Sequence, residues 1–266
     1  MIRRVIRVSS FVVACVFGVA PAMAQRITLR IAPPEGDTLR MQLEQRFEMQ
    51  SGGGGEPAEV MSGAMRVWTH AIVLHRSHGF TDLLSVTDSV RVFPSNVALR
   101  PLRDAQRALE GRIVHLRVDD NGGMSVGSGP DAAYGGGTVM PSMLPAHPVS
   151  VGEYWTRDMQ VPLSTTSSST ADVRTTFRLD SLTNHGGVAY ISFHGVVSHD
   201  HAQDGSGTTG KTVGTLVGTM QVDRRLLWIT DSQMVVSVVS DVQPLGKPAI
   251  HARMRVTQSL RALVGN

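Results

Sequence analysis

The chain has 266 residues, with 25 basic and 22 acidic side chains, and its one cysteine is Cys15. The whole basic excess lies in Arg3, Arg4 and Arg7; beyond residue 24 the two signs balance at 22 each, which leaves no electrostatic footprint for nucleic acid or an anionic membrane surface. One cysteine excludes a disulfide framework, and a chain this long can bury a core without one.

The N-terminus has the three parts of a secretory signal. "MIRRVIR" is basic, "VSSFVVACVFGVA" is an apolar run too short to span a bilayer comfortably, and Ala22 and Ala24 are the small residues a signal peptidase reads. The expectation is residues 1–24 as signal peptide, cleavage between Ala24 and Gln25, and a periplasmic or extracellular address. The alternative is a lipoprotein anchored at Cys15, because "VVAC" resembles a lipobox. Cys15 leaves with the signal, and with it the only thiol nucleophile.

Beyond residue 24 the dominant pattern has period two. In "RITLRIA" the residues Ile27, Leu29 and Ile31 alternate with Arg26, Thr28 and Arg30, and "PPEGD" comes next as a turn. From 39 to 49, five of the six odd positions are apolar and no even one is. Two strands joined in a hairpin are predicted. Segments 58–76 and 80–93 are rich in β-branched residues and read as further strands. The one persuasive helix is "PLRDAQRALEGR", which opens on Pro101, carries Leu102, Ala105 and Leu109 on one stripe, and ends at Gly111. A strand at 112–118 and a hairpin turn at Asn121-Gly122-Gly123 come next. "GMSVG" then matches the G-x-S-x-G pattern around Ser125. A nucleophile elbow needs a strand before the serine and a helix after it. Here a hairpin turn precedes the serine, and Gly-Ser-Gly-Pro comes after it.

A Gly/Pro/Met-rich linker, 128–148, divides one β-rich domain, 25–266, into halves 25–127 and 149–266. The second half opens on "MLPAHPVSVGEYWTRDM", with Leu144, Pro145, Val149, Val151, Gly152 and Trp155 in an L-P…V-x-V-G-x-x-W stretch. This resembles a feature of uncharacterised exported bacterial β-rich proteins. The later "GTMQVDRRLLWITDSQMVVSV" is similar to their hairpin at an Asp, here Asp223-Arg224-Arg225. The resemblance covers the last half of the chain. It implies the architecture of periplasmic lipoprotein carriers and mycobacterial lipid-binding lipoproteins, a curved antiparallel sheet around a hydrophobic cleft. Those carriers have several helices where this sequence has one. They bind through shape, so the resemblance transfers no site residue.

Strands at 153–161, 171–180, 187–198, 209–223, 226–240 and 249–263 complete the chain, with a turn at "TNHGG" (183–187). Between two of them lies "GSGTTGKT", residues 205–212, which fits G-x-x-x-x-G-K-[ST] at every position. A phosphate loop must lead into a helix N-terminus. Lys211 instead leads into "TVGTLVGTMQV", whose Gly and β-branched residues suit a strand, so no nucleotide is expected. His199, Asp200, His201 and Asp204 make the same loop a weak metal candidate, with His199 and His201 as ligands. A solvated hairpin tip with incidental metal affinity is the preferred reading of them, and no metal or other cofactor is assigned.

These readings predict an all-β or mainly β fold, a strongly curved antiparallel sheet forming a half-barrel or open barrel with one short helix. The function expected is that of a non-enzymatic cell-envelope protein holding a hydrophobic or lipid-like ligand. Trp68, Trp155, Phe177, Phe193, Met220, Trp228 and Met234 are the candidate lining, since Met and aromatic side chains adapt to apolar guests. The alternatives are an envelope scaffold that meets a protein partner with a filled core, and a metal-dependent or serine hydrolase.

Overall fold

The computed structural model describes residues 26–53, 58–94, 99–126, 138–162, 170–200, 208–244, 246 and 248–263. The expected signal segment, residues 128–137 of the linker, and the loop carrying His201 and Asp204 lie outside them.

Twelve strands and one helix occur among the described residues. In chain order they are β1 (Thr38–Gly53), β2 (Glu59–Ser77), β3 (Phe80–Pro94), α1 (Leu99–Leu109), β4 (Ile113–Asp119), β5 (Met124–Val126) and β6 (Thr138–Met140), then β7 (Tyr154–Pro162), β8 (Thr170–Thr183), β9 (Val188–Asp200), β10 (Thr208–Asp223), β11 (Trp228–Pro244) and β12 (Ile250–Ala262). All twelve strands form one open antiparallel sheet, in the order β6-β5-β4-β3-β2-β1-β12-β11-β10-β9-β8-β7. The expected mainly β, open and single-helix architecture is therefore what the chain forms. Two meanders run outward from the centre, where β1 pairs with β12 over thirteen residues from Met41↔Ala262 to Gly53↔Ile250.

Local chemistry accounts for the joints. Asp119 Oδ1 accepts from the backbone N–H groups of Asn121 (2.8 Å) and Gly123 (2.9 Å), and its Oδ2 accepts from the Ser142 hydroxyl at 2.6 Å. That is an Asx-type turn, and Gly122 supplies the positive φ it requires. Helix α1 starts two residues before the expected Pro101. Beyond its end stands Gly111, whose φ is +73°, a backbone that glycine adopts at little cost. The Gln106 amide donates to the Val90 carbonyl at 2.9 Å and ties α1 to β3.

One expectation is corrected. Residues 26–32 do not form a hairpin with β1, because both edges of β1 are taken by β2 and β12. The segment instead crosses the end of the sheet as a strap. Ile27 forms an isolated bridge with Val149, Ile31 N–H donates to the Asp120 carbonyl, and Ala32 N–H donates to that of Leu227. Its alternation required one dry face, and the core supplies that face without a neighbouring strand. Ile27, Leu29 and Ile31 are buried in the main apolar core together with residues from β2, β3, β4 and β7 to β11.

Candidate functional site

Cross-strand register sorts the inner face into rows that run across the strands. One row joins Trp155, Phe177, Phe193, Gly218, Met234, Gln258, Gln45 and Met65. At its β7–β9 end the rings are close-packed: Trp155 and Phe177 stack with centroids 5.6 Å apart and planes 8° apart, and Phe193 tilts against Phe177 at 5.6 Å. The Trp155 indole N–H donates to the Met143 carbonyl at 2.8 Å, which satisfies its one polar atom.

Two rows further from this core, the register joins Met159, Val173, Val197, Gly214, Val238, Met254, Met49 and Met61. Eight strands contribute to this row and none contributes a polar side chain. At one end Val173 (4 % exposed) and Val197 (6 %) are buried against Met159. At the other end Met254 is 39 % exposed, and Met49, Met61 and Val238 are half-buried. Beyond it the surface turns polar, with Thr212 and Ser240 in hydrogen-bond contact at 2.7 Å.

Between core and band lies a row that includes Arg157, Thr175, Gly195, Leu216, Val236, Val256 and Phe47. The Arg157 guanidinium donates through Nη2 to the Leu144 carbonyl. Its Nε and the hydroxyl of Thr175, the residue directly opposite, are buried without a hydrogen-bond partner among the described residues.

The outer face is charged but not uniformly so. Glu44 holds Arg46 and Arg66, each at 2.7 Å, and their hydrogen bonds keep its carboxyl below the usual carboxylate range. On the same face, Val60 of β2, Val213 of β10 and Val239 of β11 are 53 %, 43 % and 40 % exposed. They line a groove of about 590 Å³ beside Glu48, Arg253 and Arg255.

The structure brings Trp155, Phe177, Phe193, Met220 and Trp228 together, but as close-packed core, with Met234 half-buried at its margin. Trp68 does not join them. It lies on the outer face, with Arg66 and Arg91 guanidinium groups 5.8 and 5.3 Å from its ring centroid. His199 takes an inner-face position opposite Thr212, while His201 lies outside the described residues. No group of three or more His, Cys, Asp or Glu side chains placed to hold a metal occurs among the described residues. Ser125 sits within strand β5, paired with Arg117 and Thr138. The residues after Lys211 are strand β10, so the phosphate-loop octet leads into a strand, as its composition predicts. The residues that register brings out beyond the predicted lining are Met49, Met61, Met159, Met254, Arg157 and Thr175. The sequence does carry a signal for Arg157: in "WTRDM" it falls in phase with Trp155 and Met159.

No family model and no curated protein matches the chain. Among solved structures, one of lipovitellin, described for its lipid–protein interactions, is similar at a TM-score of 0.45 and 8 % identity, over 87 % of this chain and 25 % of that one. The chain thus spans about a quarter of the length of the lipovitellin chain. At that distance the fold assignment rests on strand register.

Proposed function

We propose that this chain is an exported, non-enzymatic envelope protein that carries a hydrophobic or lipid-like ligand on the inner face of its open sheet. The observation that supports the reading is the Met159-to-Met61 row. A soluble sheet face that meets water carries polar side chains at alternate positions. Eight consecutive strands without one, grading from buried to 39 % exposed at Met254, make a surface that gains by being covered. The driving force is apolar area removed from water, about 25 cal/mol per Å². Methionine suits a guest of variable shape because its side chain is unbranched and polarisable.

Native mass spectrometry of gently purified protein tests this. Lipid-like adducts are expected, and the double variant Met49→Glu, Met254→Glu is expected to lose them while keeping its strand content. A clean apo mass, with no binding of a fluorescent fatty-acid probe, overturns the reading. Export has its own check: protein recovered from the envelope should begin at Gln25.

A second reading, a scaffold that meets a protein partner, is favoured by the outer-face valines. Val196 (60 %), Val213 and Val217 (49 %) stand exposed on adjacent strands β9 and β10. It predicts that Val196→Lys and Val217→Lys disrupt a cross-linked complex and leave probe binding unchanged.

A further inference from the structure

The inner face holds a cation that forms no ion pair among the described residues. Arg157 is half-buried on β7 between the stacked Trp155 and the apolar Met159, and no ion pair forms at it among the described residues. Its one hydrogen bond there goes to a neutral acceptor, the Leu144 carbonyl. Its Nε is buried with no acceptor, and directly opposite, the Thr175 hydroxyl is in the same state in a residue 0 % exposed. A buried guanidinium nitrogen without an acceptor, beside an unpaired hydroxyl, is costly, and native proteins keep such groups where a ligand or a function offsets the cost. Two other buried atoms among the described residues lack partners, Thr81 Oγ1 and Trp228 Nε1, but both groups are neutral and neither is in the rows beside the band.

The surroundings suit an anion. Gly195 is next to Thr175 in the row, and a Cβ there would come within 2.7 Å of Thr175 Oγ1. The missing side chain is what leaves room for the hydroxyl. The guanidinium is a planar fork that matches the oxygens of a carboxylate or phosphate. Two residues along β7, about 7 Å at strand rise, is Met159, where the apolar band begins. One site therefore offers a guanidinium and a hydroxyl at one point and a continuous apolar row leading away from it, buried at Val173 and Val197 and open to solvent at Met254.

We propose that Arg157 and Thr175 bind the anionic head of an amphiphile whose apolar tail lies along the band toward Val238, Met254 and Met49. The proposal rests on the hydrophobic-ligand reading and narrows its ligand class to acidic lipids, with a carboxylate or phosphate head.

The test uses the full chain after signal removal and three probes: a long-chain fatty acid, its methyl ester, and a lysophosphatidic acid. The wild-type protein is expected to bind at least one acidic probe about tenfold or more tightly than the ester, the size of a charge-assisted hydrogen bond. The tighter of the two acids identifies the head. Arg157→Met is expected to remove the preference and leave ester affinity unchanged; Thr175→Val should reduce it by a smaller factor. Equal wild-type affinity for acids and ester overturns the head site while leaving the hydrophobic reading intact. Binding of no probe overturns both. The wild-type comparison needs no variant, so a failure of Arg157→Met to fold does not blunt it. If that variant folds and keeps the acid preference, the assignment to Arg157 is wrong.

Discussion

Phe177 is the side chain on which the closed end of the sheet is built. It is 1 % exposed, stacks on Trp155 and meets Phe193. Phe177→Ala removes both ring contacts and leaves a cavity that neighbouring strands cannot fill, because their backbones are pinned by register. Urea unfolding should show a loss of about 3–5 kcal/mol; a loss below about 1 kcal/mol would mean the rings are not the structural centre. Glu44 makes a different kind of contribution. Hydrogen bonds from Arg46 and Arg66 lower its folded carboxyl value, so it stabilises the native state above the unfolded carboxyl range, near 4.3. That stabilisation is lost as pH falls through the lower folded value. Wild-type protein should therefore exceed Glu44→Gln in urea midpoint at neutral pH, and the gap should close on acidification. A gap that stays constant down to about pH 3, below the usual carboxylate range, would rule the ion pairs out as its cause.

Strand β10 shows how a single element sets the approach of its neighbour. Its inner-face positions alternate Gly210, Thr212, Gly214, Leu216, Gly218 and Met220. A Cβ on the three glycines would lie 2.1, 2.4 and 2.2 Å from the carbonyl oxygens of Asp241, Ser237 and Gln233 on β11. Glycine there permits an approach of the β11 backbone that no other residue allows. Gly218 also accommodates Phe193, whose Cζ would be 2.5 Å from that Cβ. Gly218→Val should destabilise the protein by at least about 1–3 kcal/mol, the usual cost of overpacking, and a neutral result in thermal melts would show that the close approach relaxes freely. The strand itself is legible in "TVGTLVGTMQV", but the close approach is not, since the partner carbonyls lie on another strand beyond the next turn. The same limit explains what else sequence reading reaches. Period two locates β1, β8 and β12, because a half-covered sheet writes its faces into the chain, and β-branched composition locates most of the others; the three-residue strands β5 and β6 are too short to leave either signal. Pairing of β1 with β12 joins the two ends of the domain, and no local pattern records it. Trp68 reads as lining from the sequence because β2 mixes apolar residues on both faces. Cation–π contacts with Arg66 and Arg91 hold it on the outer one. The methionine band is visible only when the phases of eight strands are aligned.

The strap of residues 26–32 joins what the sheet leaves apart. Among the described strands, the two meanders share ladder hydrogen bonds only at the β1–β12 seam, and their outermost strands, β6 and β7, do not pair. The strap bonds to Asp120 at the β4–β5 turn, to Val149 before β7 and to Leu227 at the β10–β11 turn, so it touches both meanders at one end. Leu29 and Ile31, each 1 % exposed, lie in the core that both meanders share, and Arg26 pairs with Glu153 at 3.2 Å on the surface. The strap closes one end, and it is toward the other end of the strands that the apolar band meets solvent at Met254. Each of Leu29→Ala and Ile31→Ala should cost about 2–5 kcal/mol. Against a total stability of about 5–15 kcal/mol for a domain, the double variant should sit close to unfolding. Its loss should be shared by both meanders, since one core spans them. Hydrogen exchange on the double variant would check this: faster exchange is expected in β2–β4 and in β8–β11 together. Acceleration confined to one meander would show that the halves fold as separate units and that the strap belongs to only one of them.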